Sequence, residues 1–166
     1  MSGKTIVLDH DLVQRKVTRI VHQLYEEYHT EKGIVLVGVA PRGYTLAKRL
    51  QHGMAGTLGL AADLVELKLD KDAPLERPVS LSVDPDTLRD RVVVLVDDVL
   101  MSGRTLMHAA SFLVQVPLKK LTTVVLVDRR HRAYPIRADI VGLTLSTTLQ
   151  EHISVSFGKK DTVYLT

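Results

Sequence analysis

The 166-residue sequence has no cysteine and no tryptophan, and it has only two phenylalanines beside five tyrosines. Without cysteine, a disulfide framework, a cysteine-based zinc site, an iron–sulfur cluster and a thiol nucleophile are excluded together. The same absence fits a reducing compartment, and a cytoplasmic protein is expected. Aromatics make up 4% of the chain, so few rings are available on which single-stranded bases could stack, which disfavours an RRM-like or OB-like reader of nucleic acid. Long apolar runs are missing as well. The longest, Val92 to Val96, is closed by two aspartates and falls far short of the roughly 20 residues a spanning helix needs. Met1 to His10 carries a lone Lys4 and no apolar stretch, so neither a secretory leader nor a membrane partner is expected.

What is present is 45% apolar and 25% charged residues, with a net charge of +3. That is one domain's worth of aliphatic core, expected over residues 1–166. The charge is uneven. Asp63 to Asp98 holds ten acids against five bases, whereas Lys119 to Arg137 holds six bases against one acid. The first region suits a metal and hydroxyls and the second suits phosphates, although solvated faces would produce the same asymmetry.

No repeat, low-complexity tract or linker divides the chain. Apolar residues from Val13 to Tyr28 recur at helical spacing behind Asp9 or Asp11, which predicts an amphipathic helix ending near Gly33. Ile34 to Val39 reads as a buried parallel strand, and Pro41-Arg42-Gly43 turns from it into a second helix. Leu58 to Leu69 contains a further strand, and the proline-bearing stretch Asp70 to Pro85 reads as a long exposed loop. Val92 to Val96 is another buried strand, leading through Asp97-Asp98 and Ser102-Gly103 to a helix running to about Val116; Leu121 to Val127 is the next strand. Repeated strand–turn–helix units predict an α/β fold with a central, mainly parallel sheet flanked by helices. Candidate strands at Ile140 to Gly142, Ile153 to Phe157 and Thr162 to Leu165 make a small C-terminal hood, mainly within 128–166.

The chemistry concentrates in Val92 to Thr105, VVVLVDDVLMSGRT. Ligands of open α/β sheets bind at the carboxyl ends of strands, and this segment puts two carboxylates there. Asp97 and Asp98 can serve two neighbouring hydroxyls or share a hydrated magnesium. The following helix start offers unpaired amides to a phosphate. Gly103 permits close approach, and Ser102 and Thr105 supply hydroxyls. A ribose 5-phosphate has vicinal hydroxyls and a phosphate at that separation. A capping pair before an ordinary turn is the plainer alternative for the acids alone, but it does not account for the whole string. Gly3-Lys4-Thr5 matches the end of a Walker A loop, but lacks the upstream glycine and strand and is set aside. Val37 to Gly43 ends in Pro-Arg-Gly, where Arg42 and nearby amides could face a polyphosphate.

The Val92–Thr105 string resembles the PRPP-binding motif of type I phosphoribosyltransferases, PRPP being 5-phosphoribosyl 1-pyrophosphate. Val127-Asp128-Arg129-Arg130-His131-Arg132, followed by Pro135-Ile136-Arg137-Ala138-Asp139 and Val141-Gly142, resembles the hood of the pyrimidine-operon regulator/uracil phosphoribosyltransferase family. The resemblance runs from about Leu8 to the C-terminus. It implies a single-domain type I phosphoribosyltransferase that forms UMP and pyrophosphate from uracil and PRPP, with Mg2+. Asp97, Asp98 and Arg42 would be catalytic. Asp97 to Thr105 would hold the ribose and 5′-phosphate: Asp97, Asp98, Val99, Leu100, Met101, Ser102, Gly103, Arg104 and Thr105. Pro41, Arg42, Gly43 and Arg132 would take the pyrophosphate; Asp128, Arg129 and Ile153 would face the base; Lys68 and Lys71 would lie on a loop that closes over PRPP. Magnesium would be reached through the substrate, near the acid pair.

Uracil is favoured over a purine because hypoxanthine-type enzymes carry a carboxylate three residues after the second acid, where this chain has Met101. A purine-type transferase is the alternative within the class. An RNA-binding attenuation regulator acting on a pyrimidine mRNA leader, or a PRPP or nucleotide sensor without turnover, is the alternative outside it. The family pattern also implies a homodimer or higher homo-oligomer. Pro41, Leu143-Thr144, Ser146-Thr147-Thr148 and Lys68 to Asp72 depart from it. These departures bear on base choice and RNA regulation rather than on the PRPP site. His131 and the other histidines have no metal-ligand spacing and are expected to be structural or exposed.

Overall fold

A computed structural model describes residues 3–166, so the first two residues of the expected domain and leaderless N-terminus lie outside the described residues. Six strands form the main sheet: β2 (Ile34–Val39), β3 (Ala62–Lys68), β4 (Ser80–Leu81), β5 (Val92–Leu100), β6 (Lys120–Asp128) and β7 (Ile140–Thr144), in the order β4-β3-β2-β5-β6-β7. All neighbours are parallel except β3 and β4. The central strands are buried on both faces, which is why they read as unbroken Val and Leu runs rather than as alternation.

Helices α1 (His10–Tyr28) and α2 (Arg42–Thr57) pack on one face, and α3 (Arg104–Leu113) packs on the other. The aspartate expected to start α1 does so: the Asp9 side chain accepts the Leu12 N–H at 2.9 Å. Ile20, Leu24, Leu50 and Met54 fill one side of the sheet, while Leu106, Ala109 and Leu113 fill the other, all at most 1% exposed. Each such large side chain contributes about 1.5–3 kcal/mol by leaving water.

Several expectations need correction. Helix α1 stops at Tyr28 rather than near Gly33, because the chain tightens into a turn in which the Glu31 N–H reaches the Tyr28 carbonyl. Helix α3 ends at Leu113 rather than Val116, since Gln115 and Val116 bond three residues back and unwind it. The loop expected from Asp70 to Pro85 contains β4, which zips onto Leu67 and Lys68, and then runs into the short 3-10 turn Pro85–Leu88. Strand β5 does not stop before the acids. It continues through Leu100, with Asp97 paired opposite Val125 and Leu100 opposite Asp128 on β6.

The C-terminal pieces divide between two sheets. β7 joins the main sheet as its edge, beside β6. β8 (Ile153–Ser156) and β9 (Thr162–Leu165) pair with β1 (Thr5–Leu8), a strand the sequence did not suggest, in a three-stranded antiparallel sheet ordered β1-β9-β8. This small sheet is fastened to the helices through Asp161, which is fully buried. Its carboxylate accepts from Arg49 on α2 and Gln14 on α1, both at 2.8 Å, and from the Gly158 N–H at 3.1 Å.

Candidate active site

A cleft of about 480 Å³ opens at the carboxyl end of β5, between the main sheet and the small sheet. Its floor is the segment Asp97 to Leu106, and its walls carry Arg42, Lys71, Arg129, Tyr134 and Ile153. The expected ribose-phosphate segment is therefore gathered in one place, continuous from strand to helix.

Asp97 and Asp98 are each 3% exposed. The Asp98 N–H donates to Asp97 Oδ1 at 2.9 Å, and Arg42 Nε donates to Asp98 Oδ2 at 2.8 Å. Lys71 Nζ lies 3.5 Å from Asp97 Oδ1. Burial, reinforced by the neighbouring Asp98 charge and only partly opposed by Lys71, pushes the Asp97 carboxyl up to about 8. Two acids held this close out of water favour any cation or hydroxyl donor that relieves them. Gly43 lets the first turn of α2 press against this strand: a Cβ there would lie 2.6 Å from the Val96 carbonyl oxygen and 2.9 Å from Asp97 Cα.

Beyond the acids the chain turns at Gly103, whose φ of 84° is left-handed, immediately before α3. A Cβ at this position would meet Ile136 Cγ2 at 2.7 Å. The turn aims the first amides of α3 into the cleft, where their partial positive charge suits an anion. The Arg104 N–H is engaged by Ser102 Oγ at 3.2 Å. The Ser102 carbonyl accepts from both the Ala133 and Tyr134 N–H groups, at 2.8 and 3.0 Å, so the hood segment is tied to the floor.

The remaining expected residues separate into those the cleft includes and those it does not. Arg129 and Ile153 line it. Arg129 is 3% exposed, and its guanidinium bonds Thr147 Oγ1, the Thr148 carbonyl and the Met101 sulfur. Arg132 and Asp128 do not line it. Arg132 Nη2 holds both Asp128 carboxylate oxygens at 2.8 Å, while Nε and Nη1 reach the Ile136 and Met101 carbonyls. Arg132, expected at the pyrophosphate, and Asp128, expected at the base, are thus placed beside the cleft, where they hold one another and brace the hood.

Lys68 and Lys71 also part. Lys68 ends β3, points to Glu66 at 3.2 Å and stays outside the cleft, whereas Lys71 enters it. Pro41 and Gly43 support the site from behind rather than line it, and Arg42 is the member of that turn that reaches in. Sequence reasoning missed His152 and Tyr134, which both border the cleft. His152 is placed by a reciprocal main-chain pair with Thr166, at 2.6 and 2.8 Å, a long-range pairing with no local signature. Tyr134 could have been suspected as the one tyrosine within the basic segment.

Comparison with known proteins follows this geometry. Residues 3–161 match the phosphoribosyl transferase domain family. The chain is 36% identical to the bifunctional protein PyrR of Bacillus subtilis, over 97% of this chain and 94% of that protein. It is likewise 36% identical to the bifunctional protein PyrR of Alkaliphilus metalliredigens, over 99% and 96% of the two chains. Among solved structures, the hypoxanthine phosphoribosyltransferase of Trypanosoma cruzi superposes with a TM-score of 0.76 at 16% identity, covering 90% of this chain and 84% of that one. A hypoxanthine-guanine phosphoribosyltransferase from Bacillus anthracis gives 0.74 at 18% identity, covering 97% and 99%. These two likenesses concern the fold.

Proposed function

The chain belongs to the phosphoribosyl transferase domain family, and from that premise we propose that it transfers the 5-phosphoribosyl group of PRPP to N1 of uracil, giving UMP and pyrophosphate. The observation that carries this reading is the continuity of the buried acid pair Asp97-Asp98 with the amide turn at Gly103, on the floor of one cleft. Vicinal ribose hydroxyls meet the acids, and the 5′-phosphate meets the amides and hydroxyls from Ser102 to Thr105.

In the reaction the C1–pyrophosphate bond breaks, the C1–N1 bond forms and the N1 proton of the base passes to the departing pyrophosphate. Positive charge develops on the ribose as negative charge develops on the leaving group, so fixed dipoles and charges suffice and no covalent nucleophile is needed. Asp97 and Asp98 fix the sugar through its hydroxyls. Arg42, whose side chain is 54% exposed beside Asp98, has a guanidinium face available for the departing pyrophosphate. Lys71 exchanges its contact with Asp97 for phosphate oxygens. Ile153 covers the base, with Arg129 behind it, while Tyr134 packs over the Gly103 turn.

Among the described residues no three histidines or carboxylates are grouped to hold a metal. The two acids alone nevertheless fit a hydrated magnesium ion that takes its other ligands from PRPP, since a cation relieves the repulsion now balanced by Arg42 and Lys71. Bound in this way, magnesium would neutralise pyrophosphate oxygens. Uracil is preferred on the identity with the PyrR proteins and on Met101, which offers no carboxylate to a purine nitrogen. Turnover with PRPP, Mg2+ and a panel of uracil, orotate, hypoxanthine, guanine and adenine tests the assignment. UMP as the dominant product is expected; IMP or GMP would move the chain to the purine class, and no nucleotide at all would end the transferase reading.

A second reading rests on Arg130 and Arg137, which line a separate hollow on the hood and whose side chains make no hydrogen bond or ion pair among the described residues. With them, the chain would bind a pyrimidine mRNA leader when UMP is present. Binding that weakens steeply with salt is expected, and salt-independent binding would refute it. No helix among the described residues is long and apolar enough to cross a membrane. We place the protein in the cytoplasm as a homodimer or higher homo-oligomer, a state that sedimentation checks.

A further inference from the structure

Arg104 occupies two places at once. Its main chain is the first residue of α3, inside the turn assigned to the 5′-phosphate, and its N–H is held by Ser102 Oγ at 3.2 Å. Its side chain leaves the turn and crosses the mouth of the cleft, where Nη2 donates to the Lys71 carbonyl at 2.7 Å and to the Asp72 carbonyl at 2.8 Å. The carbonyls it grips belong to a segment shaped for it. Asp70 Oδ1 accepts the N–H groups of Asp72 and Ala73, both at 3.0 Å, closing a turn that presents the Lys71 and Asp72 carbonyls outward. Hydrogen bonds from the backbone, with Arg77 and Arg104 adding charge, hold the Asp70 carboxyl below its usual range, so this turn persists in its ionised form at neutral pH. The same grip fixes the backbone from which Lys71 reaches Asp97 at 3.5 Å.

We propose that Arg104 is a positioning residue that ties the Asp70–Ala73 turn to the 5′-phosphate loop, so that filling the phosphate turn and covering the cleft are one event. The inference rests on the transferase reading above. A phosphate at Ser102 to Thr105 recruits the Arg104 N–H from Ser102 Oγ and fixes the start of the side chain that holds the cover. The cover in turn places Lys71 and keeps water from C1 of PRPP. Without the latch, water attacks C1 in place of the base: the C1–pyrophosphate bond breaks, the C1–OH bond forms, and ribose 5-phosphate and pyrophosphate are released.

The test compares Arg104→Gln and Asp70→Ala with the unmodified protein, measuring UMP formation, base-independent release of ribose 5-phosphate from PRPP, and tryptic cleavage after Lys71 with and without PRPP. Asp70→Ala leaves Arg104 and the phosphate turn in place while removing the shape of its acceptors, so it reports on the latch even where the Arg104 substitution impairs folding. Both variants are expected to raise the ratio of hydrolysis to transfer about tenfold and to lose PRPP protection from trypsin, and Asp70→Ala is expected to bind ribose 5-phosphate as before. If the hydrolysis ratio and the protection are unchanged in both, the latch is wrong. If the unmodified protein itself forms no nucleotide from any base, the transferase reading has failed instead, a result distinct from a fully active protein whose variants leak no more than it does.

Discussion

The floor of the cleft and its hood are built in opposite ways. The floor is one stretch, Asp97 to Leu106, in which a buried strand delivers two acids, a left-handed glycine turns the chain and a helix begins. The hood draws on β1, β8 and β9 and on the segment after β6, brought together from both ends of the chain. The floor's chemistry therefore follows from local order, whereas the hood's depends on cross-links such as Arg49 to Asp161 and Gln14 to Asp161. A floor made in this way is a fixed instrument, and a hood assembled from distant pieces can vary its contacts without disturbing the floor.

The sharpest break in that comparison is at the floor. Asp98→Asn removes one charge from the pair and its 2.8 Å partnership with Arg42. UMP formation is expected to fall at least 100-fold, about 3 kcal/mol of lost transition-state stabilisation, with the fold intact. Steady-state turnover alongside circular dichroism checks both halves. Loss of less than tenfold would show that the acids are not central.

The corresponding break in the hood should appear first in stability. Arg49→Met leaves Asp161 fully buried without its cation. Removing one partner of a buried pair costs about 3 kcal/mol or more. Chemical denaturation should register that loss, and protease nicking of the small sheet should precede global unfolding. If stability is unchanged, Gln14 and the Gly158 N–H are enough to hold the carboxylate.

How much of each region was legible follows from the same contrast. Asp97, Asp98, Gly103 and the helix after them could be assigned because every determinant lies within about ten residues. The hood strands after Ile140 were visible as apolar pieces, but their partners were not. Nothing in Thr5–Leu8 announces that it will pair with Thr162–Leu165, since register between distant strands leaves no local trace. The mutual hold of Arg132 and Asp128 was not foreseen either. A basic residue four positions from an acid reads as available charge until geometry shows the two bound to each other.

A third prediction uses pH to separate the floor's electrostatics from its fold. The Asp97 carboxyl is raised to about 8 in the folded protein from an ordinary value of 3.8. Between those values the folded state binds a proton that the unfolded state has released, so stability of the ligand-free protein is present in full below the lower value and is lost as pH rises through the upper one. Asp97→Asn removes that dependence. At pH 8 it should raise the ligand-free Tm, while transfer activity collapses. Thermal melts at pH 5 and pH 8 decide the matter, and an unchanged slope would mean that Asp97 ionises normally.

The smallest effect is expected where two lysines that look alike in sequence are treated differently by the structure. Lys68 and Lys71 are three residues apart, yet Lys68 is 69% exposed beside Glu66 at the end of β3, whereas Lys71 lies half as exposed at the acid pair. An exposed pair of this kind is worth between zero and about 1 kcal/mol. Lys68→Gln should therefore leave both kcat and KM for PRPP within twofold, while Lys71→Gln raises KM for PRPP about tenfold and lowers kcat. If the two substitutions act equally, β3 does not end the fixed part of the chain where the structure ends it, and the moving segment begins before Lys68. That result would move the last residue of β3 from the rigid main sheet into the adaptable cover that meets the floor.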